Sequence, residues 1–219
     1  MDQPNLLTPL KKAFLDEFFQ QAIGQEFFLT GGTALAAFYL QHRYSEDIDL
    51  FTLNETALYE ASRSLPTLAA NLGAVYEERP RTPSFQQAFI RTPTEQIKID
   101  FVRDVGTQFG EHLHQGAIVI DSELNIAVNK ITAIFGRTTP KDFVDLYFLL
   151  KKGYDLNQLM QMAKEKDLGF TEFYFAGMLR ASRRLNALPR MIAPLDLEAL
   201  RAFYATLATQ VMLNLNPRE

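Results

Sequence analysis

Residues 28–51 read FLTGGTALAAFYLQHRYSEDIDLF, and the order of chemistry along them decides the fold. An apolar run, Phe27-Phe28-Leu29, stops at Gly31-Gly32, and a helix-like segment starts at Thr33. A polar turn, Tyr44-Ser45-Glu46, then leads into Asp47-Ile48-Asp49-Leu50-Phe51. The pattern predicts strand, glycine turn, helix, strand. Side chains alternate across a strand, so Ile48 and Leu50 share one face while Asp47 and Asp49 share the other. Two carboxylates about 7 Å apart on one face repel, and burying them unpaired would cost several kcal/mol. A cation between them removes the conflict. Magnesium suits the position, because it takes a few carboxylates and completes its shell with water and phosphate oxygens. The glycines allow close backbone approach, and free N–H groups at a helix start favour an anion such as phosphate. Phosphate cradle followed by metal carboxylates describes phosphoryl or nucleotidyl transfer. Either feature alone is equally a tight turn or a solvated edge strand; their order, joined by one helix, carries the reading.

Composition bounds the rest. The chain has 219 residues, 47% of them hydrophobic, enough for one large domain or two small ones with a real core. With no cysteine, disulfides, thiolate metal sites and cysteine nucleophiles are excluded. The N-terminal residues MDQPNLLTPLKK lack a basic-then-apolar signal, and no apolar run approaches the ~20 residues that span a bilayer, so a soluble cytoplasmic protein with no membrane partner is expected. The net charge of −4 is uneven: residues 1–115 carry 9 Lys/Arg against 15 Asp/Glu, and residues 116–219 carry 13 against 11. An acidic half for cations and a mildly basic half for phosphates suit such a substrate.

Working outward, residues 8–23 read as an opening helix stopped by Gly24, and residues 55–72 as a second, in which Pro66 predicts a kink or two shorter helices. Val75-Tyr76, Phe85 to Ile90 and Ile97 to Val102 read as strands, the last two as a hairpin. In Gln96-Ile97-Lys98-Ile99-Asp100-Phe101 the alternation places Lys98 and Asp100 on the face opposite Ile97, Ile99 and Phe101. If this strand neighbours the Asp47-Asp49 strand, three carboxylates converge, as a two-metal transfer requires. Alone, it is ordinary charge alternation. Residues 106–116 read as a glycine-rich loop with His112 and His114 as surface histidines. Leu124 to Phe135 reads as a helix with Lys130 and Arg137 along one stripe. The next helix opens with Thr139 as N-cap, Pro140 at N1 and Asp142 at N3, where a helix-terminal acid is expected. Asp145 lies in an apolar run and needs a positive partner, either Lys141 or Lys130. Residues 156–164, 170–185 and 196–214 are helical by period, and Arg180, Arg183 and Arg184 read as a solvated face.

These residues resemble the AbiEii/AbiGii nucleotidyltransferase toxins, whose core is DNA-polymerase-β-like. Gly31-Gly32-Thr33 with Asp47-Ile-Asp49 is similar to the first motif, Lys98-Ile-Asp100 to the second, the helix of Lys130 to the third, and Lys141-Asp142-Phe-Val-Asp145-Leu-Tyr to the fourth. The resemblance implies transfer of a nucleotide from an NTP, magnesium with manganese as the alternative ion, an RNA acceptor such as tRNA, and a toxin of a toxin–antitoxin or phage-defence pair with a separately encoded antitoxin. It implies metal ligation by Asp47, Asp49 and Asp100, triphosphate binding by Gly31, Gly32 and Thr33, charge from Lys98, and nucleotide-binding or catalytic roles for Lys130 and Asp145.

The expected fold is α+β: a polymerase-β-like transferase core over residues 1–120, a mixed sheet flanked by helices, then a C-terminal helical domain over 121–219. The nucleotide is expected between them, held by the glycine turn, Lys130 and Arg137. A protein hydroxyl or a small molecule as acceptor, and a nucleotide-binding module without turnover, are the alternatives.

Overall fold

The computed structural model describes residues 6–104 and 106–215. The chain divides into two compact units: residues up to Gln41 with Ser45–Glu123, and His42–Tyr44 with the residues from Leu124 onward.

The first unit is built on a seven-stranded mixed sheet ordered β3-β4-β5-β2-β1-β7-β6. Its strands are β1 (Phe28–Thr30), β2 (Asp47–Thr52), β3 (Val75–Glu78), β4 (Phe85–Arg91), β5 (Gln96–Arg103), β6 (Leu113–Gln115) and β7 (Ile118–Ile120). β2 runs parallel to β5 and antiparallel to β1. The period-2 alternation dictates the faces: Ile48, Leu50, Ile97, Ile99 and Phe101 are buried, while the acidic residues between them are only half-buried. Helix α1 (Pro9–Gln20) covers the apolar face with Leu10, Phe14, Leu15, Phe18 and Phe19. Phe18 and Phe27 both set their rings against Phe101, with centroids 5.7 and 5.5 Å away. Each such buried ring contributes roughly 1.5–3 kcal/mol of transfer free energy.

Several elements differ from the expectations of periodicity. α1 ends at Gln20, because Gln21 is extended and a 3-10 turn, Ala22–Glu26, follows. Gly24 lies in that turn, where a Cβ would overlap the Phe18 carbonyl. The helix α2 begins at Gly31 rather than Thr33, runs to Ala34 and continues as π-helix over Leu35–Leu40, closed by the left-handed Gln41. Gly31 itself has a left-handed φ of +67°, so the pair both turns the chain out of β1 and opens the helix. α3 (Ala57–Asn71) is one continuous helix through Pro66. Pro66 lies on its exposed side, where water can hydrate the carbonyl that the missing N–H leaves unpaired. The segment 106–116 is not all loop: Leu113–Gln115 pairs antiparallel with β7, and these three-residue strands are too short to show an alternation.

The second unit contains α4 (Glu123–Gly136) from Leu124 onward, α5 (Pro140–Lys152), α6 (Leu156–Lys166), α7 (Glu172–Arg180) and α8 (Leu197–Leu215). Leu200, Tyr204, Ala208 and Val211 form the buried stripe of α8, and the Tyr204 hydroxyl donates to the Phe143 carbonyl at 2.6 Å. His42–Tyr44 belongs here: Arg43 makes a β-bridge with Met191, and the N–H of Tyr44, read from sequence as part of the polar turn, donates to the Arg190 carbonyl. Among the described residues, no helix is long and apolar enough to cross a membrane.

Candidate active site

In the first unit, β2 and β5 bring two stretches distant in sequence into register. Asp47 lies beside Lys98 and Asp49 beside Asp100. Asp47, Asp49, Lys98 and Asp100 therefore share the sheet face opposite the apolar core. The Lys98 ammonium stands between two of the carboxylates, 3.2 Å from Asp47 Oδ2 and 3.1 Å from Asp100 Oδ2. Burial alone would lower the Lys98 pKa, but Asp100 and then Asp47 more than offset it and hold the ammonium above its ordinary value. Asp100 uses its other oxygen, Oδ1, to accept from Gln87 Nε2 at 2.9 Å.

The glycine turn meets Asp49 directly. Gly31 has φ +67°, and a Cβ there would overlap the Asp49 carboxylate, so glycine serves both the backbone and the close approach. β1 places Thr30 beside Asp49, and the Thr33 hydroxyl donates to the Asp47 carbonyl. Gly32 and Thr33 are buried in the same turn of α2.

Two features bear on whether a cation could sit here. Hard carboxylate oxygens line one face, and a lysine ammonium already stands where positive charge is wanted. Among the described residues, no group of three or more Asp, Glu or His side chains is already gathered around one point as a metal-holding cluster. His112 and His114 are exposed, and His112 packs its ring 4.6 Å from that of Phe28.

Two residues of this neighbourhood escaped the sequence reading. Asp121, at the end of β7, is buried, accepts from the Thr30 hydroxyl at 2.6 Å through Oδ2, and from the Tyr39 hydroxyl at 2.7 Å through its carbonyl. Burial, then the charges of Asp121 and Glu123, push the Tyr39 phenol up to about 12. Its only signal in sequence was an acid closing the apolar run Ile118-Val119-Ile120. Lys11 is the other: its buried ammonium donates to the Ser45 carbonyl at 2.5 Å. Burial holds its pKa below the ordinary value, against the pull of Glu95, Asp47 and Glu46.

Lys130, Arg137 and Asp145 lie in the second unit and meet in a buried ionic network. Asp145 is fully buried and accepts from Arg43 Nε at 2.6 Å and Arg43 Nη2 at 2.8 Å, with His42 Nε2 and the Lys130 ammonium each at 2.7 Å. Burial alone would raise its pKa, but Lys130 and Arg43 reverse this and hold the carboxyl well below the usual range. The partner on the preceding helix is thus Lys130. Asp142 is also fully buried and pairs with Lys130 at 2.9 Å and Arg137 at 2.8 Å, so its place at the start of α5 answers to charge pairing more than to the helix terminus. Thr139 caps that helix by its extended backbone, without a side-chain bond. Arg180, Arg183 and Arg184 are exposed.

Comparisons with known proteins place the chain in a family and show its fold in relatives. Residues 13–217 match the profile of the family described as nucleotidyl transferase AbiEii toxin, type IV toxin–antitoxin system. An uncharacterized protein of Aquifex aeolicus is 31% identical over 155 residues, covering 69% of this chain and 71% of that protein. Among solved structures, the nucleotidyltransferase toxin MenT4 of Mycobacterium tuberculosis aligns with TM-score 0.63 at 13% identity, over 95% of this chain and 83% of that one. JHP933 of Helicobacter pylori aligns with TM-score 0.59 at 20% identity, over 94% and 90%. At such identities the structures speak for the fold. The family match spans nearly the whole chain, and the protein accordingly belongs to the AbiEii nucleotidyltransferase toxin family.

Proposed function

We propose that this protein transfers a nucleoside monophosphate from an NTP to an RNA acceptor, with tRNA the favoured class, as the toxin of a pair whose antitoxin is separately encoded. The observation that carries the reading is the register of β2 with β5, which sets Asp49 beside Asp100 and Asp47 beside Lys98, with Gly31 against the Asp49 carboxylate. Asp47, Asp49 and Asp100 are the residues that would hold magnesium. When bound, the ion would polarise the α-phosphate and neutralise the leaving pyrophosphate. Gly31, Gly32 and Thr33 present backbone N–H groups to the triphosphate. The acceptor hydroxyl attacks the α-phosphorus, a new P–O bond forms, and the bond to pyrophosphate breaks. Within the second unit, Asp142 and Asp145 hold the Lys130 ammonium, and Asp142 also holds Arg137.

The test is incubation with each α-labelled NTP, magnesium and total RNA, wild type beside Asp49→Ala. Label in RNA with wild type only is the expected result. Normal transfer by Asp49→Ala would overturn the site, and label in protein or metabolite fractions would reassign the acceptor.

A further inference from the structure

The acidic face presents a contradiction that one residue resolves. Asp47, Asp49 and Asp100 have the chemistry of metal ligands, yet among the described residues they are not gathered around a common point. What stands between Asp47 and Asp100 is the Lys98 ammonium, within 3.2 Å of both. A divalent cation bound through those two carboxylates and the Lys98 head group cannot share that position, since each is a cation directed at the same oxygens.

The two lysines near this face differ in exposure. Lys11 is buried and holds the Ser45 carbonyl. Lys98 is a third exposed, with a flexible four-carbon stem that can swing its head clear without moving β5. Charge argues the same way: a dication suits carboxylate oxygens better than a single ammonium does, and the displaced ammonium remains beside any phosphate the ion brings.

We propose that Lys98 is an exchangeable counter-ion, which holds Asp47 and Asp100 until a divalent cation takes them and then turns to the substrate's phosphates. The inference rests on the reading of Asp47, Asp49 and Asp100 as the metal-holding set and adds an order of events to it. Lys98 is then a positioning residue before the metal binds and a phosphate ligand afterwards.

The two jobs have opposite signatures. The probes are Mn2+ alone and inorganic triphosphate in the presence of Mn2+, titrated calorimetrically into wild type, Lys98→Met, Lys98→Arg and an Asp49→Asn control. Removing the competing ammonium from two partly exposed carboxylates should tighten Mn2+ binding on the order of tenfold. Triphosphate binding to the same variant should weaken by about as much, and Lys98→Arg, which keeps the charge, should stay near wild type in both. A merely structural Lys98 would weaken both together. Lys98→Gln repeats the test should the methionine variant lose its far-UV circular dichroism. Equal or weaker Mn2+ binding by the charge-removed variants, or no Mn2+ binding by any protein, overturns the proposal. Absence of nucleotide transfer alongside the opposite shifts would sink the transfer reading and leave the exchange standing.

Discussion

Replacing Asp145 with asparagine probes the ionic network of the second unit most directly. The wild-type carboxylate is fully buried and takes four donors from three cationic or basic side chains, all within 2.8 Å. Asparagine keeps the shape, but it removes the charge and turns an amide N–H2 toward the Arg43 or Lys130 donors. Arg43, only 2% exposed, then loses its bidentate partner without access to water. Breaking a buried pair in this way costs on the order of 3–5 kcal/mol. Against a total stability of about 5–15 kcal/mol, that is a large share. With a urea m-value near 2 kcal/mol/M, the unfolding midpoint should fall by about 2 M. The pH dependence supplies a second reading. The folded pKa of Asp145 is depressed, so its contribution is fully present above the unfolded value near 4 and is lost as pH falls toward the folded value. The gap between wild type and Asp145→Asn should be widest at neutral pH and close below about pH 4. The paired replacement Arg43→Met with Asp145→Leu should recover much of the loss, since neither charge is then stranded. Equilibrium urea unfolding by circular dichroism measures all three. A loss under 1 kcal/mol for Asp145→Asn at pH 7 would refute the reasoning.

Two further predictions follow from single contacts. Gly31→Ala places a methyl group on the Asp49 carboxylate at a φ of +67°, so about 1–2 kcal/mol of backbone strain adds to displacement of the acid, and Mn2+ affinity should fall along with the melting temperature. Tyr204→Phe removes a 2.6 Å bond to the Phe143 carbonyl and leaves that acceptor buried, which should cost roughly 1–3 kcal/mol in the same unfolding measurement.

The parts of the site that local pattern encodes were legible. Alternation in Asp47-Ile48-Asp49-Leu50 and in Lys98-Ile99-Asp100-Phe101 gave both strands and their polar faces, because a period of two is set by the backbone itself. That Asp49 lies beside Asp100 was open, since strand order and register are long-range facts no single strand encodes. The same limit hid Lys11, Asp121 and Arg43, whose partners lie 34, 91 and 102 residues away. The π-helical turn after Ala34 was invisible for another reason: its sequence, LAAFYL, suits an α-helix equally well. The strands β6 and β7, three residues each, fell below the length at which alternation can be seen.

The three residues His42–Tyr44 have a consequence for how the chain is made. They emerge from the ribosome with the first unit, yet their hydrogen-bonding partners are Asp145, Arg190 and the residues after Met191. At about 5–20 residues per second, roughly 5–20 s of synthesis separates Arg43 from Asp145. During that interval an arginine destined for burial has no counter-charge. A fragment ending near Glu123 would carry that basic segment without these partners, just ahead of the strand that bears Asp47 and Asp49.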